Sequence, residues 1–397
     1  MADEALMDTY KRLPATLVRG SGARVWDDAG REYLDALGGI AVCALGHAHP
    51  AVAETLARQA RELVHVSNNF HIPAQEALGS RLAALTGGER AFFCNSGGEA
   101  NETALKIARR LGRERGIETP GIVVCDGAFH GRTLATLSAS GSRKVQAGFE
   151  PLVQGFVRVP YDDPEAIERA ASNRPGIVAV LVEPIQGEGG VRLPAAGYLA
   201  RLREICDQRG WLLMLDEIQT GIGRTGHWFA QEHDEVTADV ITMAKALANG
   251  IPVGACVARG EAARVLVPGS HGTTFGGNPL AMATGLTVLD TIEREGLVDR
   301  AAQLGERLRS GFQQLLGDHP GVREIRGRGL MIGIELAVDC PDLMQRALGA
   351  GVLLNVTAGR TIRLLPPFVL SDAETDTIIE RVSGVIREFL AEQEQAS

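Results

Sequence analysis

Two apolar runs of the sequence, within Trp211–Gly221 and Val240–Asn249, end in polar residues that could do chemistry together. These residues are Asp216, Glu217 and Gln219 in the first stretch and Lys245 in the second. Apolar runs of this length bounded by glycine are typical of buried strands, and open α/β sheets place ligands at the carboxyl ends of their strands. A carboxylate and a lysine at one sheet edge indicate a cofactor held between a charge partner and a covalent anchor.

A glycine turn at the start of a predicted helix could hold a phosphate. The strand-like run Ala91–Asn95 leads into Ser96, and Ser96 with Glu99 matches a helix capping box. Gly97 and Gly98 leave backbone N–H groups unobstructed at the positive end of the helix dipole, which suits an anion. Taken alone, Ser-Gly-Gly is a weak signal and fits an ordinary capped helix better.

An aromatic residue and an arginine follow the next predicted strand, Ile122–Cys125. Phe129 could cover the face of a planar ring, and the guanidinium of Arg132 could bind a carboxylate through two parallel hydrogen bonds. In isolation, packing of Phe129 in the core and a surface ion pair for Arg132 explain the same residues equally well.

Together, a phosphate site, a ring-covering aromatic side chain, a buried carboxylate and a lysine predict pyridoxal 5'-phosphate as the cofactor. A lysine in a dry pocket loses its charge readily and can form a Schiff base, and an aspartate beside the pyridine nitrogen keeps that ring protonated. Nicotinamide binding fits worse, because no Gly-x-Gly-x-x-Gly follows a strand. His47 and His49 suggest a metal, but without a third ligand at useful spacing they favour a structural loop.

The elements that must position these residues have a βαβ rhythm. Predicted strands near residues 122, 177, 211 and 240 alternate with helical segments, which predicts a large, mostly parallel sheet. The character changes near residue 296, where a helix precedes short strands at Gly329–Leu336, Val352–Asn355 and Thr361–Leu364. We therefore predict an N-terminal segment (1–60) that packs on the small domain, a large α/β domain (61–295) and a smaller α+β domain (296–397).

Composition narrows the class of protein further. The 397 residues carry a net charge of −9, a pI near 5.6 and a mean hydropathy of +0.02, which argues against nucleic-acid binding or a polybasic membrane surface. No apolar run reaches membrane-spanning length, and the acidic N-terminus lacks a secretion signal pattern. The six cysteines are scattered in apolar contexts, which favours free thiols and a cytoplasmic protein.

Five motifs between residues 95 and 279 resemble those of class III (ornithine-type) pyridoxal-phosphate aminotransferases of fold type I, and the resemblance covers about residues 10–390. They are Asn95-Ser-Gly-Gly-Glu-Ala-Asn101, Phe129-His-Gly-Arg132, Glu183-Pro-Ile-Gln-Gly-Glu188, Leu215-Asp-Glu-Ile-Gln-Thr-Gly-Ile-Gly-Arg-Thr-Gly226 and Thr273-Thr-Phe-Gly-Gly-Asn-Pro279. The resemblance implies a Schiff base between Lys245 and the cofactor and proton transfer by the same lysine. It also implies that Asp216 pairs with the pyridine nitrogen, Gln219 bonds near the phenolic oxygen, Phe129 stacks on the ring and the glycine turn binds the phosphate.

The same resemblance implies a homodimer with shared active sites. Thr274 would reach the phosphate from the neighbouring subunit, and Thr273 would help Arg132 hold a substrate carboxylate across the interface. Arg363 would bind the α-carboxylate of glutamate. Glu188 would pair with Arg363 while an ω-amine is the donor, and so would screen that arginine until glutamate arrives.

The loop around Ile40 indicates the substrate. Ornithine aminotransferases that resemble this chain place a tyrosine there to meet the free α-amino group, and an apolar residue would instead disfavour a charged amine and admit an N-acyl group. The loop resembles that of acetylornithine aminotransferases, which implies transfer of the δ-amine of N-acetylornithine to 2-oxoglutarate. Alternatives are succinylornithine or N-succinyl-diaminopimelate, a broader ornithine-type ω-aminotransferase, an aminomutase or decarboxylase, and a non-enzymatic scaffold.

Overall fold

A computed structural model describes residues 5–396 of the chain, so the first four residues of the acidic N-terminus and Ser397 lie outside the described part. The strands are β1 Leu17–Ser21, β2 Arg24–Asp27, β3 Glu32–Asp35, β4 Arg90–Cys94, β5 Gly121–Cys125, β6 Phe156–Val159, β7 Ile177–Val182, β8 Leu212–Asp216, β9 Val240–Met243, β10 Gly254–Ala258, β11 Val322–Arg328, β12 Met331–Leu336, β13 Val352–Leu353, β14 Asn355–Thr357 and β15 Thr361–Leu364. Apart from the helical turn Gly38–Ala41, in which Gly39 and Ile40 are not helical, the α-helices are α1 Pro50–Glu62, α2 Pro73–Thr86, α3 Gly97–Glu114, α4 Leu134–Ala139, α5 Arg143–Gln146, α6 Pro164–Asn173, α7 Tyr198–Arg209, α8 Ala262–Val265, α9 Pro279–Arg294, α10 Leu297–Leu316, α11 Leu343–Gly349 and α12 Asp372–Ala396.

A mostly parallel sheet forms the centre of the molecule. Within residues 5–396 its seven strands run in the order β4-β10-β9-β8-β7-β5-β6. The pairs from β9 to β6 are parallel, and β10 is antiparallel to both of its neighbours. Every residue of β5, β7 and β8 is buried, as expected when helices cover both faces of a parallel sheet. The predicted α/β class is confirmed.

Two smaller sheets adjoin the central one. The C-terminal sheet has the order β11-β12-β15-β14 with antiparallel pairs, and it carries Arg363 on β15. The N-terminal sheet has the order β1-β2-β3-β13, in which the late strand β13 pairs in parallel with the early strand β3. This pairing joins the N-terminal segment to the C-terminal part of the chain. The division of the chain at residues 60 and 295 stays a prediction.

One strand prediction in the C-terminal part is confirmed apart from its start, and another is wrong. The predicted strand Gly329–Leu336 is β12, Met331–Leu336, which follows β11 in a hairpin that turns at Gly329, where φ is +51°. The run Val352–Asn355 is split between β13 and β14, which belong to different sheets. The two pieces differ only in the strands with which they pair. The apolar pattern runs on across the split, so the sequence gives no sign of it. No described helix is long and apolar enough to cross a membrane.

Candidate active site

The structure brings Asp216 and Lys245 to one edge of the central sheet. Asp216 ends β8, and it lies opposite Thr242 on the neighbouring parallel strand β9. Two residues beyond the end of β9 the chain reaches Lys245, which begins a short 3₁₀ turn. Asp216 and Lys245 both line a cavity of about 320 Å³. The edge is the carboxyl edge of the parallel strands, where ligands of such sheets bind.

Asp216 is buried, and both oxygens of its carboxylate accept hydrogen bonds. The Nδ2 atom of Asn101 donates to Oδ2 at 2.7 Å, and Nδ1 of His130 lies 2.8 Å from the same oxygen. Oδ1 accepts from the backbone N–H of Ile218 at 3.1 Å. Asn101 is itself oriented by Thr242, whose hydroxyl donates to its Oδ1 at 2.7 Å. These bonds fix the orientation of the carboxylate and leave Oδ1 with one donor.

Sequence reasoning did not single out Asn101 or His130 as partners of Asp216. Both residues belong to motifs that were noticed, and Asn101 is a buried polar residue within the apolar face of α3. A buried side-chain amide needs a hydrogen-bond partner, so an asparagine on the apolar face of a helix could have been recognised as part of a buried polar site. Nε2 of His130 is buried and has no hydrogen-bond partner among the described residues.

Glu217, the acid next to Asp216, does not reach the cavity. Its carboxylate accepts hydrogen bonds from the hydroxyl of Thr220 and from the backbone N–H groups of Ala230 and Gln231, the last two at 3.0 and 2.9 Å. Burial raises the pKa of Glu217 to about 7. Since Asp216 is the last residue of a strand, its successor points away from the cavity and here anchors a loop.

Lys245 has the environment of a nucleophilic amine. It is half-buried with a φ of +42°, a backbone conformation that is strained for a side chain of this size. Burial lowers the pKa of Lys245 from 10.5 to about 8, and the positive charge of Arg363 adds to the effect. The charges of Glu188, Asp216 and Glu183 oppose this shift. About a tenth of the amine is therefore neutral at pH 7 and able to attack a carbonyl group, far more than an amine with the ordinary pKa of 10.5 would provide.

The glycine turn presents two free donors to the cavity. Ser96 caps α3 by accepting from the N–H of Glu99 at 3.2 Å, while the Glu99 carboxylate accepts from the N–H of Asn95 and not from that of Ser96. The backbone N–H groups of Gly97 and Gly98 have no partner in the described part of the chain and line the cavity. Free N–H groups at the start of an 18-residue helix form an anion site.

The two glycines differ in what they tolerate. A Cβ at Gly97 would lie 2.7 Å from the side chain of Ile218, so any larger residue would displace the wall of the cavity. A Cβ at Gly98 would meet nothing nearer than 3.9 Å. A larger residue at position 98 therefore has room, and the donor at this position depends only on the backbone.

Phe129 lines the cavity, and a buried glutamate holds its backbone. The carboxylate of Glu183 accepts from the N–H of Phe129 at 2.9 Å and from the N–H of Gly187 at 3.3 Å. Burial raises the pKa of Glu183 to about 7, and the nearby charge of His130 opposes the shift. Glu183 was not singled out from the sequence, although it directly follows the fully apolar strand β7. It links the aromatic wall of the cavity to the turn that carries Glu188.

Arg363 and Glu188 form an ion pair beside the cavity. Nη1 of Arg363 lies 2.6 Å from Oε1 of Glu188, and the side chain of Arg363 is fully buried whereas that of Glu188 is 38% exposed. Nη1 also donates to Oε1 of Gln219 at 3.2 Å, and Nε donates to Oδ1 of Asn355 at 3.1 Å. Gln219 lines the cavity, so the arginine is one side chain away from it. Because Glu188 reaches solvent, it can leave the pair without being buried elsewhere.

Besides Glu188 and Arg363, four more of the residues expected at the site lie outside the cavity wall. Arg132 is exposed, with its Cζ 5.5 Å from the centroid of the Phe129 ring. Ile40 lies in a tight turn at a φ of +64°, and Val42 of the same turn lines the cavity instead. Thr273 accepts from Nδ2 of Asn95 at 3.3 Å, whereas Thr274 is exposed and lines a separate surface groove.

The groups around the cavity fit pyridoxal phosphate. Two free backbone donors suit the phosphate, an aromatic side chain can cover the ring, and a buried carboxylate can face the pyridine nitrogen. The amine of lowered pKa completes this set. This arrangement, on a mostly parallel sheet, is typical of an enzyme that uses a carbonyl-bearing cofactor to react with amines.

Comparison with known proteins gives the class directly. The family model described as Aminotransferase class-III matches residues 6–386, and the chain belongs to this family. The chain is 54% identical to an acetylornithine aminotransferase from Nitrosomonas europaea, over 97% of this chain and 98% of the relative.

Two solved structures extend the likeness to the fold. One is an ornithine aminotransferase from Toxoplasma gondii with partial occupancy of PLP at its active site. It has a TM-score of 0.94 and 38% identity, and the match covers 99% of this chain and 94% of that one. The other is an acetylornithine aminotransferase from Elizabethkingia anophelis, with a TM-score of 0.86 and 35% identity over 97% of both chains. The fold is therefore that of the class-III aminotransferases.

Proposed function

We propose that the enzyme transfers the δ-amino group of N-acetylornithine to 2-oxoglutarate, with pyridoxal phosphate as the cofactor. The observation that carries the proposal is the pair between buried Arg363 and accessible Glu188 beside the cavity. An enzyme that binds an acylated ω-amine in one half-reaction and a dicarboxylate in the other needs an arginine that is screened in the first and available in the second. The acetylornithine aminotransferase at 54% identity supports the choice of substrate.

Each group around the cavity has a role in this proposal. Bound to Lys245, the cofactor would act as an electron sink at the carbon that carries the transferred amine. The N–H groups of Gly97 and Gly98 would hold the phosphate, and Phe129 would cover the ring. Asp216, held in place by Asn101 and His130, would pair with the protonated pyridine nitrogen.

Lys245 would also move the proton at the reacting carbon. When it is not bound to the cofactor, its amine would serve as the base, and in the cofactor-free protein the pKa of this amine, about 8, lies near physiological pH. The proposed partner of the phenolic oxygen is Gln219, whose own Oε1 accepts from Arg363. Arg132 would hold the α-carboxylate of N-acetylornithine, and the apolar Ile40 would leave the acetylated α-nitrogen without a charged partner.

We infer that the enzyme is a homodimer. Phe275, on the loop that carries Thr273 and Thr274, is 64% exposed. Asn68 donates to the carbonyl of Thr273 at 3.3 Å, and the same segment carries Phe70 at 65% exposed and Leu63 at 48%. Exposed apolar clusters of this kind mark protein–protein contacts. Burial of this surface against a second copy would let Thr274 reach the phosphate site of the partner and would place Thr273 beside the substrate.

An amino-donor panel tests the proposed reaction. The purified enzyme is supplied with 2-oxoglutarate and, in separate reactions, with N-acetylornithine, N-succinylornithine, N-succinyl-diaminopimelate or ornithine, and glutamate release is measured. We expect the highest kcat/KM with N-acetylornithine. A preference for a succinylated donor or for ornithine would reassign the substrate, and a reaction that released no glutamate would refute aminotransfer.

Borohydride trapping tests the cofactor anchor. Reduction of the coloured enzyme is expected to fix the cofactor on the peptide that contains Lys245, and Lys245→Ala is expected to give no trapped adduct. A colourless wild-type enzyme after incubation with pyridoxal phosphate would refute the cofactor assignment.

A further inference from the structure

Asn355 is placed by the sheet directly beside the guanidinium of Arg363. The antiparallel pairing of β14 with β15 sets Asn355 opposite Arg363, and Nε of the arginine donates to Oδ1 of the asparagine at 3.1 Å. On its other side Arg363 faces Gly333 of β12, which offers no side chain. Asn355 is therefore the cross-strand side chain that can fix the plane of the guanidinium.

The N–H groups of Arg363 are unequally occupied. An arginine side chain has one N–H on Nε and two on each terminal nitrogen. Nε–H bonds to Asn355, and Nη1 bonds to Glu188 and Gln219. Nη2 is buried and has no hydrogen-bond partner among residues 5–396. A buried cationic nitrogen without a partner is costly, so Nη2 is where an incoming carboxylate gains most.

A carboxylate can bind a guanidinium through two parallel hydrogen bonds in two ways. It can approach end-on, across Nη1 and Nη2, or from the side, across Nε and Nη2. Asn355 occupies Nε–H and so closes the side approach. The end-on approach needs a hydrogen of Nη1, which already has two acceptors, Glu188 and Gln219. With Asn355 in place, a two-bond contact therefore requires one of these acceptors to leave, and of the two it is Glu188 that reaches solvent.

We propose that Asn355 is a positioning residue that makes Glu188 and the substrate carboxylate mutually exclusive on Arg363. Without its acceptor, a dicarboxylate could bind through Nε and Nη2 while Glu188 kept Nη1, and the enzyme would lose its discrimination between the two half-reactions. This inference rests on the proposed exchange of a monocarboxylate donor for a dicarboxylate acceptor at one site.

Thr357 supports the same arrangement from two residues further along β14. It lies opposite Thr361, and its hydroxyl donates to the backbone carbonyl of Glu188. The main chain of Glu188 is thereby tied to the strand that carries Asn355, so the exchange can be confined to the glutamate side chain. Thr357→Val removes this bond and leaves Nε of Arg363 capped, which makes it a matched control.

A double-mutant cycle between Asn355→Leu and Glu188→Ala tests the proposal. Binding of glutarate, a dicarboxylate that cannot react, is measured by calorimetry on the cofactor-loaded enzyme. Each single substitution is expected to tighten binding about tenfold, the effect of one charge-assisted hydrogen bond. In the Asn355→Leu background, Glu188→Ala is expected to add less than about threefold, because the carboxylate already has its two bonds.

Two further variants separate positioning from general damage. Asn355→Asp keeps an acceptor for Nε–H, and in this background, as with Thr357→Val, Glu188→Ala should retain its tenfold effect. Equal effects of Glu188→Ala with and without Asn355, or weaker glutarate binding by Asn355→Leu, would overturn the proposal. Failure of N-acetylornithine as a donor would refute the proposed substrate and leave the glutarate cycle interpretable.

Discussion

Replacement of Lys245 by methionine is expected to stabilise the cofactor-free protein while it abolishes transamination. In the folded chain the pKa of this amine falls from 10.5 to about 8, chiefly because burial disfavours its charged form. This fall corresponds to a cost of about 3 kcal/mol in the free energy of unfolding at neutral pH. Methionine has a similar length and no charge, so the variant avoids this cost.

The sign of the pH dependence follows from the two pKa values. Below pH 8 the amine is protonated in both states, and the folded protein bears the full cost of burying the charge. Between pH 8 and 10.5 the folded protein has released a proton that the unfolded chain still holds, so the stability of the wild type rises with pH. About 2 kcal/mol of the difference between wild type and variant should disappear by about pH 9.5.

Urea unfolding of both cofactor-free proteins at pH 7 and 9.5 measures this difference. The control is Lys144→Met on α5, where the lysine is exposed and the change in stability is expected to stay within about 0.5 kcal/mol. If the Lys245→Met variant were no more stable than wild type at pH 7, the claim that burial of the charged amine destabilises the fold would be refuted. An advantage that did not shrink at pH 9.5 would assign the effect to packing instead of charge.

Three further predictions concern the substrates and the assembly. Arg132→Ala should raise KM for N-acetylornithine about tenfold and leave the cofactor absorbance intact, and an unchanged KM would remove its role with the carboxylate. Glu188→Ala should shift the ratio of kcat/KM towards glutamate over N-acetylornithine about tenfold, because Nη1 of Arg363 is freed; an unaltered ratio would contradict the exchange. Phe275→Asp should dissociate the dimer in sedimentation experiments and reduce activity, and a dimer that persisted would place the interface elsewhere.

Much of the central sheet could be predicted because burial on both faces gives its strands a purely local signature. The run Ile177–Val182 is apolar throughout, and it forms β7 with the same bounds. The strand Thr361–Leu364 was also predicted with its observed bounds. The edge strand β6 contains an exposed arginine and was not predicted, and β13 and β14 were merged. Which strand lies at the edge of a sheet, and where one strand ends and the next begins, depends on the pairing between strands. Local hydrophobicity does not encode that pairing.

The sequence by itself determined which residues could carry the chemistry, because Lys245, Asp216 and the glycine turn each have a local signature at the end of an apolar run. Only the tertiary structure decided how they are tuned. Asn101 and His130 meet Asp216 from elements far apart in the chain, and the cost of burial that lowers the pKa of Lys245 exists only once the cavity has formed. Asn355 likewise becomes a partner of Arg363 through strand register, a long-range property that pairs residues by position in a sheet.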